Sequence, residues 1–195
     1  MRNGAVGSSW KADRNTVKVK PHMTKKRGVN SRASSVANEP SVYVVGLISD
    51  THGLVRPGIE SAFAGVDLIV HAGDVGGAGV LDALRRLAPT EAVYGNVDDP
   101  SDPSLARERT VPIGRLALHV SHGHELGRPT ADLVLARYEG DVLVFGHTHR
   151  ALVARHGDRL VVNPGAAGPR RFDVTPSVAR LTVEGARVDV EIVPL

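Results

Sequence analysis

From residue 41 to residue 195 the chain alternates short apolar runs with segments whose apolar positions recur at helical spacing, whereas residues 1–40 show neither pattern. Residues 41–49 are rich in β-branched side chains and predict a buried strand. Residues 57–64 open on Pro57 and predict a short helix. Residues 66–71 form a second buried run, and leucines at 81, 84 and 87 mark a helical stripe over 79–88. Further strands are expected at 91–94, 115–121 and 141–145, with a helix at 129–138. The polar stretch 98–109 contains two prolines and predicts an irregular, lid-like connection. After 150 the pattern changes to strands at 151–155, 160–163, 178–183 and 187–192, with turns at Gly157-Asp158 and Glu184-Gly185. Strand–helix units therefore come first and a β-rich end follows. This predicts an α/β fold of two sheets packed face to face with helices outside.

Polar residues at the ends of the apolar runs turn the question from fold to chemistry. The first run ends in Asp50-Thr51-His52-Gly53 and the second in His71-Ala72-Gly73-Asp74. The third is followed by Gly95-Asn96-Val97-Asp98, the next by His122-Gly123-His124, and the last of the five by Gly146-His147-Thr148-His149. In an α/β sheet the carboxyl ends of the strands converge on one crevice. Glycine beside each polar group lets the backbone turn sharply and approach an ion. A single Gly-Asp or Gly-Asn is usually just a turn. So many Asp, Asn and His side chains at one sheet edge are costly to bury together unless they hold metal.

No cysteine is present, which excludes disulfides, thiolate metal ligands and cysteine nucleophiles. The net charge of +3 is unevenly spread. Residues 1–40 carry nine Lys or Arg against Asp13 and Glu39, a net of +7, which leaves the rest of the chain at −4. That first segment is expected to be a disordered basic extension, because it offers little apolar area to offset the entropy of ordering. Residues 41–195 form the expected domain, long enough for a sizeable core. The chain lacks the apolar stretch of a secretory leader, and no run approaches the roughly 20 apolar residues of a membrane span. A cytoplasmic protein without membrane contact is therefore expected. The acidic balance of the domain argues against a nucleic-acid partner, apart from contacts by the extension.

In series, the five blocks resemble those of the calcineurin-like metallophosphoesterase superfamily, which run D-x-H, G-D, G-N, a histidine before glycine, and G-H-x-H. Their wording is most similar to the small YfcE-like phosphodiesterase group. The resemblance covers residue 42 onward and implies a four-layer αββα sandwich of two mixed β-sheets. It also implies two divalent ions, Mn²⁺ foremost, with Ni²⁺, Fe²⁺ or Zn²⁺ as alternatives. Asp50, His52, Asp74 and His149 would hold one ion. Asp74, Asn96, His122 and His147 would hold the other, with Asp74 bridging. Carboxylate, amide and imidazole ligands suit such borderline ions. The implied activity is hydrolysis of a small phosphate ester, above all a diester, by a metal-activated hydroxide.

Many members of the superfamily carry a histidine where this chain has Val97, which cannot transfer a proton. His124 and Asp98 are the nearest candidates for the missing acid, and substrates with good leaving groups are expected. His71 could orient Asp74 or be a strand-end histidine bonded to backbone. Asn163 reads as a structural turn residue that could also orient the ligands, and His119 reads as a packing or surface residue. Arg150, Arg170 and Arg171 match phosphate chemistry without motif support. The competing expectation is a protein-binding scaffold of the same fold with little catalysis, as in the related retromer subunit. The chemically complete ligand set favours the enzyme. Oligomeric state is left open, a homo-oligomer included.

Overall fold

The computed structural model describes residues 42–170 and 174–195. The expected extension over 1–40 and Arg171 lie outside the described residues. The first β-branched run forms β1 (Tyr43–Ile48). There follow α1 (Gly58–Ala62), β2 (Leu68–His71), α2 (Ala78–Arg85) and β3 (Thr90–Ala92). The next elements are β4 (Glu108–Ile113), β5 (Leu116–Ser121), a 3₁₀ turn at His124–Leu126, α3 (Ala131–Arg137) and β6 (Val142–Val144). The β-rich end comprises β7 (Leu152–His156), β8 (Arg159–Asn163), β9 (Ser177–Glu184) and β10 (Arg187–Pro194).

Two mixed five-stranded sheets result, with strand orders β10-β9-β1-β2-β3 and β4-β5-β6-β8-β7. Strands β1, β2 and β3 run parallel, as do β5, β6 and β8, and antiparallel strands flank each set. The parallel strands read as continuous apolar runs because both of their faces are covered. Alternate residues divide between the two faces. Val45, Leu47, Leu68 and Val70 meet Leu118, Val120, Val144 and Val162 between the sheets. Ile48 and Ile69 pack outward beneath Ile59 and Phe63 of the α1 segment and Leu81 and Leu84 of α2. Leu143, Phe145 and Val161 pack outward against Val134 and Tyr138 at α3. The four layers are thus helix, sheet, sheet, helix, as the resemblance implies.

One strand was not expected. β4 falls partly inside the stretch read as an irregular connection. It alternates exposed and half-buried residues, contains Pro112 and pairs only along β5 at the sheet edge. Proline lacks the N–H a central strand needs and is tolerated at an edge. Among the described residues, no helix is long and apolar enough to cross a membrane.

Candidate metal centre

Five loops leave the carboxyl ends of β1, β2, β3, β5 and β6 and carry the polar blocks. Backbone pairs extend the sheets into them: Asp50 N–H donates to Gly73 O at 2.9 Å, His52 N–H to Asp74 O at 2.9 Å, and Gly146 N–H to His122 O at 3.1 Å. Among the described residues, five that are not glycine have positive φ. They are Asp50 (54°), His52 (47°), Asp74 (53°), His147 (65°) and His149 (59°). Such backbone costs of order 1–3 kcal/mol per residue and persists where the surroundings over-determine it. All five belong to the expected ligand set.

Four of those side chains converge on a first position. Ligand atoms of Asp50, His52, Asp74 and His149 all lie within 4.8 Å of one another. His149 Nε2 is 3.2 Å from Asp50 Oδ1, and His52 Nε2 is 3.5 Å from His149 Nε2 and 3.7 Å from Asp74 Oδ2.

A second position lies on the other side of Asp74. His122 Nε2 is 3.4 Å from Asp74 Oδ1 and 3.2 Å from Asn96 Oδ1, and His147 Nδ1 is 3.0 Å from the same amide oxygen. The remaining ring nitrogens settle the tautomers. His122 Nδ1 donates to Ala72 O at 2.8 Å and His147 Nε2 to Gly127 O at 3.1 Å. When neutral, both rings therefore turn lone pairs toward the Asn96 oxygen, and His122 also toward Asp74. Lone pairs aimed at one another call for a cation between them, which is the fit a divalent ion requires. The ionisation of Asp74 agrees, and the same negative surroundings draw a proton or another cation to His122. Burial alone would raise the pKa of Asp74. The hydrogen bond and charge of His122, the Val97 N–H and the charge of His52 outweigh it and bring the value to about 2. Burial likewise opposes protonation of His122, but Asp74 and Asp50 prevail and raise its pKa above the ordinary value.

Residues 44–186 match the model of the calcineurin-like phosphoesterase superfamily domain. The chain belongs to this superfamily. It is 35% identical over 161 residues to a probable metallophosphoesterase of Methanothermobacter thermautotrophicus, spanning 77% of this chain and 91% of that one. A phosphodiesterase of Methanocaldococcus jannaschii is 28% identical over 139 residues, 62% of this chain and 82% of that one. The vacuolar protein sorting 29 structure from Cryptosporidium parvum shares the fold, with a TM-score of 0.71 at 22% identity over 79% of this chain and 92% of that one. As a calcineurin-like phosphoesterase, the protein belongs to a family that acts on phosphate esters with divalent metals.

Within this superfamily fold, buried polar residues lock the loops. His71 is fully buried, and burial lowers its pKa to about 4. The neutral ring accepts from Gly73 N–H through Nδ1 at 3.2 Å and faces Thr51 Oγ1 through Nε2 at 2.9 Å, while that hydroxyl donates to Val75 O at 2.9 Å. His71 and Thr51 thus join the first two loops by a chain of hydrogen bonds. Asn163 joins the fifth loop to β8, donating to Gly146 O at 2.8 Å and Thr148 Oγ1 at 3.0 Å. Ser49 Oγ lies 2.7 Å from both Asp50 Oδ2 and Gly165 O. Sequence reasoning overlooked Thr51 and Ser49, although Thr51 stands inside the first block and Ser49 directly before it. Gly95 is required for a different reason: a Cβ there would sit 2.1 Å from Asp74 Oδ1.

The two acid candidates are placed differently. The His124 ring stands 5.4 Å from that of His122 and 6.4 Å from that of His147, partly open to solvent. Burial and then His122 lower its pKa below the ordinary value. Asp98 instead accepts from backbone N–H groups of Gly95, Val75 and Gly76. Val97 is 53% exposed beside them. Arg150 and Arg170 are exposed. His119 stacks on Tyr138 at 4.4 Å, in keeping with a packing role.

Proposed function

We infer that this protein is a metal-dependent phosphodiesterase with a dinuclear centre, Asp74 bridging the two ions. The observation that carries the reading is the pair of positions flanking Asp74, its Oδ2 turned toward His52 and its Oδ1 toward His122. Asp50, His52 and His149 complete one ligand set, and Asn96, His122 and His147 the other. Mn²⁺ or another borderline divalent ion suits both. Ions held there would withdraw charge from a phosphoryl oxygen and lower the pKa of an attacking water.

The chain's own residues shape the substrate preference. His124 stands next to the second ligand set and is the group assigned to protonate the leaving oxygen. Burial and the neighbouring His122 lower its pKa and so work against the protonated ring, which favours esters whose leaving groups need no proton. Leu54 and Val55 are exposed just after the first block and Val97 within the third. The relative named as a phosphodiesterase supports the diester reading. The likeness to the sorting protein concerns the fold, and the chemically complete ligand set favours catalysis over a scaffold.

Hydrolysis of a bis-aryl phosphate by Mn²⁺-reconstituted protein tests the reading. Asp74→Asn should lower the rate by more than the roughly 10–100-fold typical of losing an outer partner of a ligand. Full activity in that variant would refute the bridge. Equal rates on alkyl and aryl diesters would refute the leaving-group preference.

A further inference from the structure

The hydrogen bonds of Asp98 run to the two loops that shape the second position. Its Oδ2 accepts from Gly95 N–H at 2.8 Å and from Val75 N–H at 3.0 Å, and its Oδ1 accepts from Gly76 N–H at 2.9 Å. Gly95 directly precedes Asn96, and Val75 and Gly76 directly follow Asp74. One carboxylate therefore fastens the loop of Asn96 to the loop of Asp74. The fastening is reciprocal, because Val97 N–H donates to Asp74 Oδ1 at 3.1 Å. Asp50 and His52 are tied to the same loop by other bonds, their N–H groups donating to Gly73 O and Asp74 O. Three of the roughly four acceptor sites of this carboxylate are taken by backbone N–H groups, and a proton on either oxygen would weaken the bonds that hold the loops.

We propose that Asp98 is a positioning residue that fixes the separation of Asp74 and Asn96 and thereby sets the affinity of the second metal position, and that it is not the proton donor of the reaction. The proposal rests on the two-ion reading above. Charge-assisted bonds from a carboxylate to backbone N–H groups are among the stronger ones, and partners that orient metal ligands typically govern affinity 10–100-fold. Asparagine at this position keeps a single acceptor oxygen for three donors. Glutamate keeps the carboxylate but carries it one methylene too far.

Calorimetric titration of Mn²⁺ into metal-stripped, full-length wild type, Asp98→Asn and Asp98→Glu provides the test, with pH–rate profiles of the reconstituted proteins alongside. Wild type should bind two ions. Both variants should keep the tighter ion near its wild-type affinity and weaken the other roughly 10–100-fold, with the pH–rate profile unchanged in shape. An unaltered titration in Asp98→Asn together with a lost basic limb of the profile would overturn the proposal in favour of a proton donor. Equal weakening of both ions, tracking a lower melting temperature, would overturn it in favour of general stability. If Asp98→Asn did not fold, the titration of Asp98→Glu would carry the test, a weakened second ion supporting the proposal and an unaltered titration overturning it. A single ion in wild type would instead overturn the two-ion reading itself.

Discussion

At the first of the two proposed metal positions every residue, Asp50, His52, Asp74 and His149, sits on left-handed backbone, and ligand-capable atoms of all four lie within 4.8 Å of one another. At the second, only Asp74 and His147 are so strained, while Asn96 lies on an exposed loop opposite the buried His122. The first position stores its order in the main chain, where extended backbone pairing and the His71–Thr51 chain over-determine it. The second is assembled across loops by side-chain and side-chain-to-backbone bonds, with Asp98 at their junction. A preorganised site loses less on binding than one that must be ordered. The first position should therefore fill first and more tightly.

The largest expected effect breaks that asymmetry directly. His52→Ala should abolish the tighter of the two Mn²⁺ binding events in calorimetry, a loss beyond about 100-fold, because it removes a ligand rather than a ligand's support. Asn96→Ala should leave the tighter event in place and weaken the other. Equal losses from the two substitutions would erase the distinction between the positions.

A second effect concerns the lock on the first position. Burial lowers the His71 pKa from 6.5 to about 4, despite the nearby Asp50, Asp98 and Asp74 carboxylates. The unfolded chain binds this proton near pH 6.5 and the folded chain only near pH 4. Its contribution to stability is thus full above pH 6.5 and is lost as pH falls toward 4, by something of the order of 3 kcal/mol. Urea unfolding of metal-stripped protein at pH 7 and pH 4 reads this loss. His71→Gln should remove that part of the slope, and an undiminished slope would show that other groups carry it.

The smallest effect sharpens the chemistry at the edge of the second position. Val97→His should raise the rate on alkyl diesters by up to about tenfold, below the roughly 10²–10⁴ of an evolved, positioned acid. Rates on aryl diesters should stay nearly level. A parallel rise on both would mean that the new histidine acts otherwise than by protonation.

The parts of this architecture that repeat over several residues were open to sequence reading. The apolar runs of β1 and β2 announced buried strands and those of β5 and β6 announced strands, while the polar blocks at their ends announced the candidate ligands. β4 was hidden because an edge strand has one sheet neighbour and no continuous apolar face, and Pro112 reads as a break. The left-handed backbone at Asp50, His52, Asp74, His147 and His149 has no local signature. It is imposed by bonds to other loops, and only the neighbouring glycines hinted at it. Asp98 shows the same limit. Its spacing from Asn96 put it near the site, but the direction of its carboxylate depends on N–H groups more than twenty residues earlier, at Val75 and Gly76. His71 was half legible, since a strand-end histidine is polar by type while its tautomer follows from Gly73 and Thr51.

The central claim is that two ions share Asp74. Anomalous scattering from crystals of the protein soaked in Mn²⁺ addresses it most directly. Two peaks are expected roughly 3.5–4 Å apart, one among Asp50, His52 and His149 and the other among Asn96, His122 and His147, with Asp74 reaching both. A single peak, or two peaks of which Asp74 touches only one, would contradict it.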